Sequence, residues 1–410
     1  RDVERSRGLG DVYKRQLIIG AGVLQLPAIQ KAKEMGFNVT VVDMSSHAPG
    51  IEYADQFYEV STNDISGILQ VADEVKPDGV MTLATDMPMR SVAAVAEKYG
   101  LHSISPTVAI KATDKIEMIR CFEAHNVAHP WFEVISSGQD LEGLLKEHSV
   151  PLIMKPNDSS GSRGVILVKD IYDMKAAFEY SKSVSKSGLV LVEEYMQGPE
   201  VSVEAMTIHG ETTILAVTDK LTTGAPYFVE MGHSQPSQLP EHTVEQIKNL
   251  ATKAIQAIGI DNSPSHVEII VTAEGPKLVE LGARLGGDCI TTYLVPLSTG
   301  IDMVEASILL ALGQEACIIP KFQKGAAIRY AKCENGILQQ ITGLEDALKD
   351  ESIQHIEIIK REGDIVTSIH GSGDRIGYVI AQAENASKAI EASTRAVSYT
   401  HLRAHETSLH

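Results

Sequence analysis

Two glutamates, Glu268 and Glu280, carry the first sign of chemistry in this 410-residue chain. They sit in two short runs, Ser265-His266-Val267-Glu268-Ile269-Ile270 and Pro276-Lys277-Leu278-Val279-Glu280-Leu281, joined through Thr272-Ala273-Glu274-Gly275. Val267, Ile269 and Val271 alternate with the even-numbered positions, which predicts a half-buried β-hairpin. A turn centred on Glu274 sets Glu268 opposite Glu280, with Cβ atoms about 5 Å apart. Like charges so placed are destabilising unless a cation lies between them. Arg284 could supply part of that charge, and two carboxylates at this separation also suit Mg²⁺. The alternative is a solvated pair on an exposed face.

Three further stretches hold chemically suggestive groups. Pro151-Leu152-Ile153-Met154-Lys155-Pro156 reads as a strand ending in a lysine, and a Gly/Ser-rich loop follows it, containing Ser159, Ser160, Gly161, Ser162 and Gly164. Such a loop can turn backbone N–H groups inward as an anion-binding nest with Lys155 at its base, or be an ordinary hairpin. No Gly-Lys-Ser/Thr follows, so the loop is not a Walker motif. Next, the apolar run Leu189-Val190-Leu191-Val192 ends in Glu193-Glu194, passes Tyr195-Met196-Gln197-Gly198-Pro199 and resumes at Glu200. This hinge offers backbone groups to an adenine edge and a carboxylate to ribose hydroxyls; an acidic edge strand with a turn has the same sequence. Lys220 and His233 lie between these motifs and the glutamate hairpin, as site groups or as a solvated edge and a loop histidine. His266 shares the face of Glu268, where it lines the site or packs as a strand histidine, and Trp131 reads as core.

The elements that must position these groups differ along the chain. Residues 17–105 alternate strand and helix, which implies a parallel, doubly wound α/β sheet. Gly20-Ala21-Gly22 starts a GxGxxG pattern and Asp43 ends the second strand, but Gln25 stands at the third glycine position. A nicotinamide site is therefore an incomplete alternative. From Ser105 the texture is α+β, and residues 320–393 add further strands and a final helix. Residues 1–16 mix charges without period and residues 396–410 concentrate histidine. Both ends look foreign, like translated sequencing-adapter read-through, and are set aside from fold and metal arguments. A formal net charge of -18 argues against nucleic acid or an anionic membrane as partner. Cys121, Cys289, Cys317 and Cys333 show no CxxC spacing, which fits reduced thiols in a cytoplasmic protein. No apolar run reaches transmembrane length and no signal segment is evident.

In their order and spacing these motifs resemble the ATP-grasp superfamily of carboxylate–amine or carboxylate–thiol ligases, from Leu17 to about Ala392. The resemblance implies a Rossmann-like pre-ATP-grasp domain (17–105), an ATP-grasp domain (106–315) and a small α+β C-terminal subdomain (316–395). The last holds Gly377-Tyr378-Val379-Ile380-Ala381 after Arg375. It makes Lys115, in Ala112-Thr113-Asp114-Lys115, and Lys155 the nucleotide lysines, and residues 159–164 the loop over the triphosphate. Glu193, Glu194 and Met196 match the adenine hinge and Glu200 the ribose acid. Glu268 and Glu280 match ligands of Mg²⁺, or of Mn²⁺, and Arg284 an arginine on the transferred phosphoryl group. Gly282 departs from the family, where many members carry an asparagine ligand; Asp288 could compensate. The stretch with Lys220 and His233 resembles that of amino-acid ligases. The implied activity joins a small carboxylate to a small amine through an acyl phosphate, in a possible homodimer. A carboxylase, a formate- or purine-pathway ligase, an NAD-dependent oxidoreductase and a non-catalytic nucleotide binder are the alternatives.

Overall fold

The computed structural model describes residues 14–159, 163–332, 334–399 and 401–405. Ser160, Gly161 and Ser162 of the Gly/Ser loop lie outside the described residues. The chain divides into two compact units, one holding the residues up to Pro106 with Val304–Ala316, the other holding Thr107–Met303 and the residues from Cys317 onward.

The first unit is a parallel sheet of β1 (Arg15–Ile19), β2 (Asn38–Asp43), β3 (Gln56–Glu59) and β4 (Gly79–Met81), ordered β3-β2-β1-β4. Leu17, Ile18 and Ile19 are all fully buried, the continuous apolar run of a parallel strand covered on both faces. Arg15 and Gln16, which the sequence places in the foreign segment, open this strand, and Arg15 pairs with Asp78 at 3.2 Å. The glycine turn after β1 is held by its own side chains. Asp43 accepts from the N–H groups of Ala21 and Ser45, both at 2.9 Å, and Gln25 Nε2 donates to Leu83 O at 2.6 Å. The acid that a dinucleotide fingerprint reserves for ribose is here part of the turn.

The second unit contains two antiparallel sheets that carry the expected site residues. The smaller is β5 (Phe132–Ile135), β6 (Leu152–Pro156), β7 (Ile166–Val168) and β8 (Val190–Glu194), ordered β5-β8-β6-β7. Its core gathers Leu152, Met154 and Val192 with Met174 and Phe178 of the helix Met174–Val184. The larger has eight strands: β9 (Glu200–Ile208), β10 (Glu211–Thr222), β11 (Glu230–Gln235), β12 (Ser263–Thr272), β13 (Gly275–Gly282), β14 (Gly325–Tyr330), β16 (Ile353–Ile358) and β18 (Gly377–Ala383). Their order is β13-β12-β9-β10-β11-β14-β18-β16. Three strands from the C-terminal region therefore extend the central sheet. The remainder of that region forms a small sheet of β15 (Gly336–Thr342), β17 (Ile365–Val366) and β19 (His401–His405). The final helix runs Ala386–Tyr399 and β19 pairs with β15, so regular structure continues past residue 395. Among the described residues no single helix is long and apolar enough to cross a membrane.

Candidate active site

Glu268 and Glu280 face each other across β12 and β13, and a bulge brings them there. The turn is Ala273-Glu274, between the paired residues Thr272 and Gly275, rather than one centred on Glu274. From that turn the ladder pairs Ile269 with Leu278, then skips Val279 and resumes with Glu268 opposite Glu280. In a regular ladder Glu280 would oppose Val267 and project from the other face. The extra residue re-aims it, and Val279 and Glu280 both line the same cavity.

That cavity, ≈ 530 Å³, gathers groups from both sheets of the second unit. Lys115 reaches it from the first turn of the helix Lys115–Ala124. Asp114 caps that helix, accepting from the N–H groups of Ile116 and Glu117, and Asn157 ties the cap to the end of β6 by donating to Asp114 at 2.9 Å. The lysine is thereby fixed at its root, and its Nζ lies 2.7 Å from Glu280. Lys155 on β6 pairs with Glu193 on β8 at 2.7 Å, both buried. Glu194 accepts from Lys277 of the hairpin at 3.0 Å, and Met196 and Ser159 also line the cavity. Between the sheets' strands the hinge backbone is pressed against β12. A Cβ on Gly198 would lie 1.9 Å from Val271 O, at φ +153°, so only glycine fits this crossing.

A single lysine holds three acids of the larger sheet. Lys220 Nζ lies 2.6 Å from Glu200, 3.3 Å from Glu268 and 3.7 Å from Glu230, with its side chain 3 % exposed. Burial opposes its charge, but the three carboxylates raise its pKa, so it stays an ammonium. Burial likewise works against ionisation of Glu268, yet Lys220 and His266 hold its carboxyl well below the usual range. Glu200 goes the other way: burial raises its carboxyl in spite of Lys220. His266 sits between Glu204 (Nδ1···Oε1 2.6 Å) and Glu268 (Nε2···Oε1 3.3 Å). Burial disfavours the imidazolium, but these acids push its pKa up to about 9.

Comparison with known proteins bears on this geometry. Residues 148–292 match the model of an ATP-grasp domain, and residues 331–404 that of the L-amino acid ligase C-terminal domain 2. The chain is similar to the crystal structure of an L-amino acid ligase from Bacillus licheniformis, with TM-score 0.82 at 24 % identity, covering 96 % of this chain and 99 % of that one. The chain carries an ATP-grasp domain. It is 24 % identical over 409 residues to the alanine–anticapsin ligase of Bacillus amyloliquefaciens, covering 90 % of this chain and 84 % of the relative. It is also 25 % identical over 323 residues to an uncharacterized protein of Sinorhizobium fredii, spanning 66 % of that relative's length.

Among the described residues, the expected His233, Arg284 and Gly164 do not line the cavity. His233 pairs in register with Lys220, is 1 % exposed, and has Nε2 3.4 Å from Asp288. Asp288 takes two hydrogen bonds from Arg375, each 2.8 Å, and Arg375 stacks 3.9 Å over the Tyr330 ring. Burial would raise the Asp288 carboxyl, but Arg375 and His233 hold it far below its ordinary value. Asp288 and the following Cys289 both adopt left-handed backbone, φ 49° and 62°, a strained pair that the Arg375 clamp helps to hold. Arg284 donates to Leu285 O at 3.3 Å, and its charge acts on Glu268 and His266. Gly164 accepts from Ser181 Oγ at 2.6 Å, anchoring the end of the Gly/Ser loop. Sequence reasoning overlooked Glu230, Glu204 and the Arg375–Asp288 clamp. Glu204 did stand in an alternating run, Glu200-Val201-Ser202-Val203-Glu204, the one local signal among them.

Proposed function

We propose that this site forms an amide bond between two amino-acid-like molecules, with ATP as the energy source. The chain is an ATP-dependent carboxylate–amine ligase, and the observation that carries this reading is the Glu268–Glu280 pair beside three lysines in one cavity. The match of residues 331–404 to an L-amino acid ligase domain supports amino acids as the substrate class.

The donor set fits Mg²⁺. Glu268 and Glu280 are hard oxygen donors set opposite each other, with no sulfur or nitrogen ligand competing on the hairpin's second strand. Gly282 offers no side-chain ligand, which suits an ion that keeps several waters. Bound there, Mg²⁺ would neutralise charge on the β- and γ-phosphates; Mn²⁺ shares this ligand preference.

Lys115, Lys155 and Ser159 are assigned to the phosphates. Glu193, Glu194 and Met196 frame the adenine, and Glu200, held by Lys220, takes the ribose hydroxyls. In the first step a carboxylate oxygen of the acyl donor bonds to the γ-phosphorus. The bond to the bridging oxygen breaks, and ADP leaves with that electron pair. In the second, the amine nitrogen bonds to the acyl carbon, the acyl–oxygen bond breaks, phosphate leaves and the nitrogen gives up a proton. Arg284 is assigned to neutralise the acyl phosphate and Lys220 to face the substrates, while His233, buried outside the cavity, stands beside Lys220 in the β10–β11 ladder. Such positioning and charge neutralisation is most of what phosphoryl transfer needs. Exclusion of water protects the acyl phosphate. A homodimer in the cytoplasm is the setting we propose.

The test is ADP release from Mg-ATP with and without a pooled amino-acid mixture. Stimulation by the pool is expected, and splitting the pool then identifies donor and acceptor. ADP release that ignores every amino acid but responds to formate or bicarbonate would replace this substrate class.

A further inference from the structure

Behind Glu268 the larger sheet carries a chain of groups that the reaction just described does not use. In the β9–β12 ladder His266 stands opposite Glu204, and Glu268 opposite Ser202. Glu204 is 0 % exposed, and its Oε1 lies 2.6 Å from His266 Nδ1. Its other oxygen is buried without a hydrogen-bond partner. A carboxylate with no solvent and one partner is costly, several kcal/mol after relaxation (roughly, as for any buried ion). What it holds is the imidazole, whose far nitrogen lies 3.3 Å from Glu268.

The chain is also closed from above. A Cβ on Gly286 would fall 2.6 Å from His266 Nδ1 and 2.9 Å from Glu204 Oε2, so the backbone after Arg284 packs directly on the pair. Lys220 also touches Glu268, but through a long stem that serves Glu200 at the same time. His266 is different in kind: a two-torsion ring clamped between adjacent strands, able to hold one carboxylate oxygen in a fixed direction.

We propose that His266 and Glu204 are positioning residues for Glu268, with Glu204 fixing the imidazole and the imidazole aiming the carboxylate at the divalent cation. The proposal rests on the reading of Glu268 as a metal ligand. Outer partners of this sort typically tune metal affinity by about 10–100-fold.

The experiment titrates Mn²⁺, as an electron-spin probe, into the full chain in the presence of ADP, for wild type and for Glu268→Gln, His266→Ala and Glu204→Gln. Steady-state ADP formation is measured alongside as a function of Mg²⁺. His266→Ala is expected to weaken Mn²⁺ binding about 10–100-fold and to raise the Mg²⁺ requirement, while excess Mg²⁺ restores most of kcat. Glu204→Gln, nearly isosteric, is expected to shift both in the same direction and decides the matter if His266→Ala does not fold. Weakened binding in Glu268→Gln with wild-type binding in both of the others overturns the positioning role and leaves the metal reading standing. Unchanged binding in Glu268→Gln as well overturns both.

Discussion

At the scale of single residues, Glu280 is the most exposed to test. It is placed by a bulge, shares Lys115, and has no duplicate among the oxygen donors of β13, since Gly282 follows on the same strand. Glu280→Gln is expected to abolish Mg²⁺-dependent ADP formation while leaving the thermal midpoint close to wild type. An active variant would remove Glu280 from the metal site. Asp288 gives a different kind of forecast. Its carboxyl is depressed in the folded state, so it stabilises the protein fully above the unfolded value of about 4, and that contribution fades as pH falls towards the native value. Asp288→Asn leaves Arg375 buried without its anion and is expected to cost about 3 kcal/mol near neutrality. Urea unfolding of both proteins across acid pH checks it: the gap should narrow on acidification, and a constant gap contradicts the assignment. None of the clamp was visible in the sequence. Asp288 and Arg375 are 87 positions apart, and no local pattern connects residues that meet only when β18 joins the sheet next to β14.

At the scale of elements, the hairpin shows both what periodicity reveals and where it stops. Alternation along Val267, Ile269 and Val271 identifies the strand and its face, because a period of two is a property of the backbone. The bulge is not encoded that way. A symmetric turn with no bulge and the actual shorter turn with one extra residue give the same Glu268–Glu280 pairing, so the pair was legible while its geometry was not. The bulge makes its own prediction. Val279 and Glu280 both face the cavity, so exchanging them (Val279→Glu with Glu280→Val) keeps a carboxylate there. Its ADP formation is expected to exceed that of Glu280→Val alone by about tenfold, near 1.4 kcal/mol. In an unbulged strand the exchange would turn the acid to the opposite face and rescue nothing. The glycine turn of the first unit illustrates the converse. Gln25 in place of a third glycine was readable, but only the bonds from Ala21 and Ser45 to Asp43 explain what the acid does instead.

At the scale of the whole molecule, the fold class followed from strand–helix alternation in residues 17–105 and the irregular α+β texture beyond. The grouping of segments did not, because contact between distant stretches has no sequence period. Three C-terminal strands complete the sheet that bears the glutamates, so the site and the C-terminal region share one framework. The three lysines of the cavity have a further consequence. Lys115 already holds Glu280, Lys155 holds Glu193, and Lys220 holds Glu200 and Glu268. A phosphate that draws on Lys115 weakens the counter-charge beside Glu280, and a cation that takes Glu280 weakens the anion beside Lys115. A nucleotide and a divalent ion bound together replace both contacts. Binding is therefore a paired exchange, and by thermodynamic reciprocity each ligand must tighten the other by the same factor. Calorimetric titration of ADP with and without Mg²⁺, and of Mg²⁺ with and without ADP, should return equal ratios well above one. The cleft would then act as a coincidence gate, discriminating metal-bearing nucleotides from loose phosphate and loose cation alike.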